Sequence, residues 1–239
     1  VGHSGSKVYL KECPSGGIYV EKVGNTERNL ERLSVLATEG YPVPNIILHE
    51  KDHMIMEYIH GLDMKNYLIH NNIYQLLNFI FQTLDKFSEN SIQKDYTETY
   101  YKKLSWMNDT DFPFTKKELI TRLPKILPQS TYHGDMTLEN VLYSDKGFYL
   151  IDAVTTEYDS YIFDIAKMRQ DLECKWFLRN TDVRLDTKLQ NIQDSLKEHF
   201  PKYFDDNLVI LMLMRVIQYC EKNDSNYNFL MKEIHKLWK

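Results

Sequence analysis

Cysteine is scarce in this chain. Cys13, Cys174 and Cys220 lie far apart, with no CxxC pair and no Cys/His ligand spacing. That excludes a disulfide framework or a zinc ribbon and predicts reduced, mostly buried thiols. Long apolar runs are also missing. The longest, Leu208 to Met214, has seven residues, far short of the roughly 20 that cross a bilayer. No basic-then-apolar segment opens the chain, which begins on Val1. These absences predict a soluble, cytoplasmic protein without membrane insertion. A surplus of basic charge is lacking too: Lys and Arg number 29 against 34 Asp and Glu, a formal charge of −5. Nucleic acid is therefore not expected as a partner, because phosphate backbones need a clear cationic excess. One anionic ligand in a small basic site remains compatible. Alanine occurs only three times.

What is present is ordinary for a globular chain, at 43% apolar and 26% charged residues. Aromatics are the exception, at 13%, with 17 Tyr. A length of 239 residues allows one large domain or two modest lobes. Val8–Lys11 and Ile18–Lys22 read as strands around the turn Pro14-Ser15-Gly16-Gly17. Thr26 starts a helix to about Glu39, ended by Gly40 and Pro42. Ile46–His49 and Met54–Ile59 are two more strands, and Gly61 breaks the pattern. From there the period is helical. Ile73, Leu76, Leu77, Ile80, Phe81, Leu84 and Phe87 form an apolar stripe. Shorter helices are expected near Tyr96–Trp106 and Lys116–Arg122, then a loop over Leu123–Asn140. Strands Val141–Ser144 and Phe148–Ile151 follow, and four helices reach the end: Ile162–Leu172, Leu185–His199, Leu208–Cys220 and Tyr227–Trp238. The expected fold class is α+β. Residues 1–60 form a small β-rich lobe, 61–239 a larger helical lobe, and a hinge lies at about 55–61, with a ligand cleft between them.

The chemistry concentrates in His133-Gly134-Asp135-Met136-Thr137-Leu138-Glu139-Asn140. Asn140 follows Asp135 by five positions, and Asp152 follows it by seventeen, across a predicted hairpin. The turn returns the chain, so Asp135, Asn140 and Asp152 should converge. Hard oxygens of this kind suit Mg²⁺, which keeps waters and takes few protein ligands. Phosphoryl transfer uses such a set: one Asp for the attacking hydroxyl, an Asn and a second Asp for metal on the phosphates. The D-x-x-x-x-N spacing is that of the kinase catalytic loop. The small-residue turn around Ser4, Gly5 and Ser6 is expected to bring backbone N–H groups to phosphates. It is not a Walker loop, since Lys7 does not follow a glycine. Lys22, inside a strand, fits a lysine aimed at the α/β-phosphates.

Together these residues resemble the aminoglycoside phosphotransferase / choline kinase family, small-molecule kinases with a protein-kinase-like two-lobed fold. The resemblance covers nearly the whole chain. HGDMTLEN is similar to the family's HGDxxxxN loop and Leu150-Ile151-Asp152 to its metal-binding Asp. Phe163-Asp164-Ile165-Ala166-Lys167 is similar to its (Y/F)-D-(L/I)-A segment, and Tyr41-Pro42-Val43-Pro44 to its PVP turn. The resemblance implies Asp135 as the base or hydroxyl orienter, His133 and Asp164 as structural supports, and Asn140 and Asp152 as metal ligands. Met54–Gly61 is similar to the family's hinge, which implies adenine bonded to the backbone of Glu57 and Ile59 beside Met56. The family pairs its strand lysine with a helix Glu. That position falls on Asn29 here, flanked by Glu27 and Glu31, and Glu31 is the favoured partner of Lys22. The short link between Asp152 and Asp164, without an APE segment, argues against a peptide substrate.

The expected function is an ATP- and Mg²⁺-dependent phosphotransferase acting on a hydroxyl of a small molecule, first a sugar or polyol. Choline would want aromatic walls; aminoglycosides would want acids, and Glu157 and Asp159 are the nearest. A non-catalytic nucleotide-binding regulator on the same fold stays open. Oligomeric state is not legible.

Overall fold

The computed structural model describes residues 6–14 and 16–239. Its first part is one antiparallel sheet. β1 (Lys7–Glu12) pairs with β2 (Ile18–Val23), and α1 (Glu27–Thr38) follows. β3 (Ile46–Glu50) and β4 (His53–Glu57) complete the order β1-β2-β4-β3. Thr26 stands at the N-cap of α1 but does not cap it. Its hydroxyl is spent on His49 Nε2 at 3.2 Å, which ties the helix start to β3. β4 stops at Glu57, two residues before the expected end, and residues 58–60 carry no regular structure.

Gly61 does not break the chain out of β-structure; it opens β5 (Gly61–Asp63), which pairs with a strand far downstream. A Cβ on Gly61 would lie 2.3 Å from the Tyr143 carbonyl oxygen, so only glycine allows the approach. Asp63 then caps α2 (Met64–His70) by accepting from the Asn66 amide. α3 (Tyr74–Ser88) is the predicted amphipathic helix, with Leu76, Leu77, Ile80, Leu84 and Phe87 buried. β6 (Ile92–Asp95), α4 (Thr97–Lys103), α5 (Lys116–Arg122) and β7 (Ile126–Gln129) come next. β6 and β7 pair with each other, so the expected loop from Leu123 holds a strand. β8 (Val141–Ser144) and β9 (Gly147–Leu150) form the hairpin beside β5.

The remaining helices are α6 (Tyr161–Leu172), α7 (Asp186–His199), α8 (Asp206–Ile217) and α9 (Ser225–Leu237). All twelve residues of α6 are buried. α8 contains the Leu208–Met214 run, wholly buried, and packs on α6. A helix apolar on every side belongs in a core, and this one is central. One core cluster runs from Leu33 and Leu36 of α1 to Ile234 of α9. Much of the aromatic surplus sits there. Tyr96 and Tyr100 are fully buried, and Tyr96 meets Phe163 edge-on at 5.1 Å. Among the described residues no helix is long and apolar enough to cross a membrane.

Candidate active site

The loop 133–140 is held by one stripe of α6. Asp164, Lys167 and Asp171 stand at i, i+3 and i+7, on one helix face. Asp164 accepts the amides of His133 at 2.6 Å and Gly134 at 2.9 Å. Lys167 reaches Asp135 Oδ1 at 2.9 Å. Asp171 accepts the Leu138 amide at 2.6 Å, and also the Phe177 amide at 3.1 Å. The helix thus grips successive residues of the loop along about 10 Å of its axis. Burial pushes the Asp164 carboxyl up, and Asp171 is pushed up to about 7 by burial and by Glu139.

His133 is completely buried. Its Nε2 faces the Ile151 carbonyl at 3.0 Å, and its Nδ1 accepts the Asp135 amide at 3.3 Å. A carbonyl only accepts and an amide only donates, which assigns the proton to Nε2. Burial pushes the imidazole pKa down and keeps it neutral. His133 therefore ties the loop to the residue that follows β9. Gly134 has φ +90°, and a Cβ there would meet the Val154 carbonyl oxygen at 2.0 Å. No other residue fits this turn.

Asp135 feels opposing influences. Burial raises its pKa, but the Lys167 ammonium and then the Arg215 guanidinium outweigh it and hold it at about 2. Asn140 donates Nδ2 to the Asp135 carbonyl at 2.8 Å, which leaves its Oδ1 as a free hard oxygen. Asp152 sits at φ 56°, a left-handed conformation that is strained for an Asp. Its Oδ1 takes both Lys22 Nζ and Asn29 Nδ2, the latter at 3.0 Å. Lys22 is 3% exposed. Asp135, Asn140, Asp152 and Lys22 thus belong to one connected site. The expected partner of Lys22, Glu31, does not join it: Glu31 lies exposed. It is two residues from Asn29, about 200° around the helix, and so on the far face. Asn29 takes the inner position, bonding Asp152 and also the Ala153 carbonyl at 2.8 Å.

The free oxygens of Asn140 and Asp152 fit a magnesium ion that keeps waters and phosphate oxygens as its other ligands. Among the described residues there is no cluster of three His, Cys, Asp or Glu that would make an all-protein metal cage. In the hinge, the Glu57 amide already donates to the Asn45 carbonyl at 2.9 Å. That amide is therefore already engaged within the protein. Ile59 is buried and Met56 half-buried. Of the phosphate turn, Ser4 and Gly5 lie outside the described residues. Ser6 is buried and gives its hydroxyl to the Asn25 carbonyl at 3.2 Å, so that hydroxyl does not cover the site.

A cleft of about 520 Å³ contains Asp135, Asn140 and Asp152. Lys167, Arg179 and Arg215 line it, and sequence reasoning assigned a role to none of them. The one signal for Lys167 is its helical spacing from Asp164. Tyr158, Trp106, Trp176 and Tyr219 are its aromatic lining. The tyrosines of the 96–101 stretch do not line it. Glu157 is paired with Lys102 at 2.9 Å and Lys103 at 3.1 Å. Asp159 is paired with Lys94 at 2.7 Å. Neither acid lines the cleft.

Three comparisons bear on this arrangement. No curated protein matches the sequence. Solved structures do. An amicoumacin kinase in complex with AMP-PNP and Ca²⁺ has a TM-score of 0.62 at 12% identity, over 99% of this chain and 86% of that one. A choline kinase from Streptococcus pneumoniae has 0.55 at 17%, over 96% and 88%. A glucosamine kinase has 0.57 at 11%, over 98% and 80%. At these identities the likeness establishes the fold, which is the protein-kinase-like α+β fold. Residues 1–199 match the model of the phosphotransferase enzyme family. With that match spanning most of its length, the chain belongs to the phosphotransferase enzyme family.

Proposed function

We propose that the chain is an ATP- and Mg²⁺-dependent kinase that phosphorylates a hydroxyl of a small molecule, a sugar or polyol before choline or an aminoglycoside. The observation that carries this is the convergence of Asp135, Asn140 and Asp152 on one cleft, with Lys22 bonded to Asp152. The amicoumacin kinase was solved with a nucleotide analogue and a divalent cation, which supports the same pair here. Adenine lies against Met56, with the Glu57 carbonyl and the Ile59 amide as its polar contacts. The N-terminal lobe spans residues 1–60 with the hinge at about 55–61, and the protein works in the cytoplasm.

Asp135 positions the acceptor hydroxyl in line with the γ-phosphorus. A carboxylate held at about 2 is a weak base towards an intact alcohol, so it orients first and takes the proton late. The new O–P bond forms as the bond from γ-phosphorus to the ADP oxygen breaks, and the hydroxyl proton passes to Asp135. Lys22 neutralises the α/β-phosphates. Mg²⁺, when bound by Asn140 and Asp152, spreads the charge on the transferring group. Purified protein with MgATP and a matched acceptor should release ADP, and Asp135→Ala should lower kcat at least about 1,000-fold with the MgATP Kd little changed. A second reading, the non-catalytic regulator, gains from one observation: Lys22 sits on Asp152 because α1 offers Asn29 instead of a carboxylate. It would lead if the protein bound ATP yet released no ADP with any of a broad panel of acceptors.

A further inference from the structure

The cleft is basic within an acidic molecule. Its lining carries five bases and three acids, whereas the chain as a whole is −5. Two of the acids, Asp135 and Asp152, have work to do at the hydroxyl and the metal. The third, Glu139, is neutralised by Arg179 at 3.2 Å. No acid is left over for a cationic acceptor.

The bases are differently placed. Arg215 is half-buried on α8 and forms no salt bridge among the described residues; it acts on Asp135, whose ion pair is with Lys167. It donates only to the Gly134 carbonyl at 3.1 Å and weakly to the Met212 sulfur at 3.5 Å. A partly desolvated guanidinium that faces Asp135 only at a distance, and shares that carboxylate with Lys167, keeps capacity for a further anion. Arg179 Nε is buried with no hydrogen-bond partner. Gln170, 1% exposed and lining the cleft, accepts from Lys167 at 3.2 Å but leaves its own Nε2 donor unpartnered. One cation without an ion pair of its own and two unspent donors therefore belong to the residues of one cavity.

The aromatic walls agree. Arg179 lies 4.0 Å over the Trp176 ring, and Arg215 lies 5.4 Å from the Tyr158 ring centre. These π-faces, which would hold a quaternary ammonium, already carry guanidiniums. An incoming cation would meet like charge at both.

We infer that the acceptor is an anionic hydroxyl compound, bearing a carboxylate or a phosphate, whose negative group pairs with Arg215 while its hydroxyl lies at Asp135. The inference rests on the phosphotransferase reading and narrows it. Guanidinium suits both anions because its N–H fork matches their paired oxygens. A competing use for these bases, neutralising the triphosphate, differs in its consequence. It would place the effect of losing Arg215 on the nucleotide rather than the acceptor.

Two matched acceptor series test this by ADP release at saturating MgATP. One has glycerate, glycerol 3-phosphate, glycerol and 3-aminopropane-1,2-diol. The other has gluconate, glucose 6-phosphate, glucose and glucosamine. The anionic members should exceed their neutral and cationic counterparts at least tenfold in kcat/KM, and the better anion identifies carboxylate or phosphate. Arg215→Met should raise the acceptor KM at least tenfold with the MgATP KM within twofold and the melting temperature retained. Preference for a neutral or cationic member overturns the inference while leaving the kinase reading intact. So does an Arg215→Met effect confined to the MgATP KM. If no member is phosphorylated, the regulator reading gains, and calorimetric titration of gluconate and glucose 6-phosphate still decides the anion site. Binding lost in Arg215→Met upholds the site; absence of binding to the wild type overturns it.

Discussion

Asp135 shows how one neighbour sets the ionisation of a carboxylate. Partial burial alone would push its carboxyl up; Lys167 at 2.9 Å, helped by Arg215, holds it at about 2. The folded pKa lies below the ordinary value of about 3.9. The stabilisation from this pairing is therefore present above about pH 4 and lost as pH falls through about 2. Lys167→Met removes the larger of the two opposing charges. The expected outcome is an acid limb in kcat that is absent from the wild type above about pH 4 and enters the range of about pH 4–6 in the variant. Rate profiles of both proteins, with melting temperatures to verify folding, check this. A limb unmoved by the substitution would mean that Lys167 does not set the ionisation of Asp135. Lys167 was quoted in the sequence motif without a role. Its spacing from Asp164 was visible, but a lone lysine in a helix reads as solvated until the helix is known to be buried.

The elements explain both what was legible and what was not. α3 announced itself because a helix half in water must alternate apolar and polar residues. The β8–β9 hairpin was legible from its tight turn, and with it the meeting of Asp135, Asn140 and Asp152. α6 gave less. Buried on every side, it has no amphipathic stripe to show which face meets the loop, so Asp171 passed unnoticed. β6 and β7 were missed for a different reason. Each has four residues, and Lys94, Asp95 and Pro128 spoil the pattern. Asn29 was reached by counting along α1, yet Glu31 was preferred because charge seemed the better match for a lysine. Helix phase decided otherwise, since only position 29 faces Asp152. The stripe on α6 also makes a prediction. Asp171 accepts two backbone amides, and Asn supplies only one acceptor oxygen, so Asp171→Asn leaves one buried N–H unpaired at a cost of about 1–3 kcal/mol. The pH dependence has a definite sign. With a folded pKa raised to about 7, the wild-type carboxyl contributes stability that is full below about pH 4 and lost as pH rises through about 7. Urea unfolding at pH 5 and pH 8 should therefore show the variant's deficit shrinking at the higher pH. A deficit of constant size would mean that Asp171 titrates as an ordinary carboxylate.

Across the whole molecule the first sheet and α1 meet the helical part in several places, among them the bond from the Leu150 amide to the Pro42 carbonyl and the Tyr41–Phe87 contact, and one further seam runs through the site. Lys22 from β2 bonds Asp152, Asn29 from α1 bonds Asp152 and Ala153, and Arg28 bonds the Thr155 carbonyl at 2.7 Å. The Thr155 amide returns a bond to the Arg28 carbonyl at 3.0 Å. The strained Asp152 lies at the centre of this seam, and such strain persists only where surrounding contacts over-determine it. The seam therefore does two jobs at once, holding the two parts together and fixing the carboxylate assigned to the metal. Asn29→Ala separates these jobs from the Lys22 charge, because it removes two of the hydrogen bonds and leaves the ion pair. The core clusters are untouched, so the melting temperature should fall by no more than a few degrees. Hydrogen exchange at the Thr155 amide should quicken, since it donates across the seam to the Arg28 carbonyl and belongs to no sheet or helix. The MgATP KM should rise severalfold, because a carboxylate freed from its strained geometry must be reordered each time the nucleotide binds. Exchange and MgATP KM both unchanged would show that Lys22 alone fixes Asp152, and that the position taken by Asn29 is tolerant of what fills it.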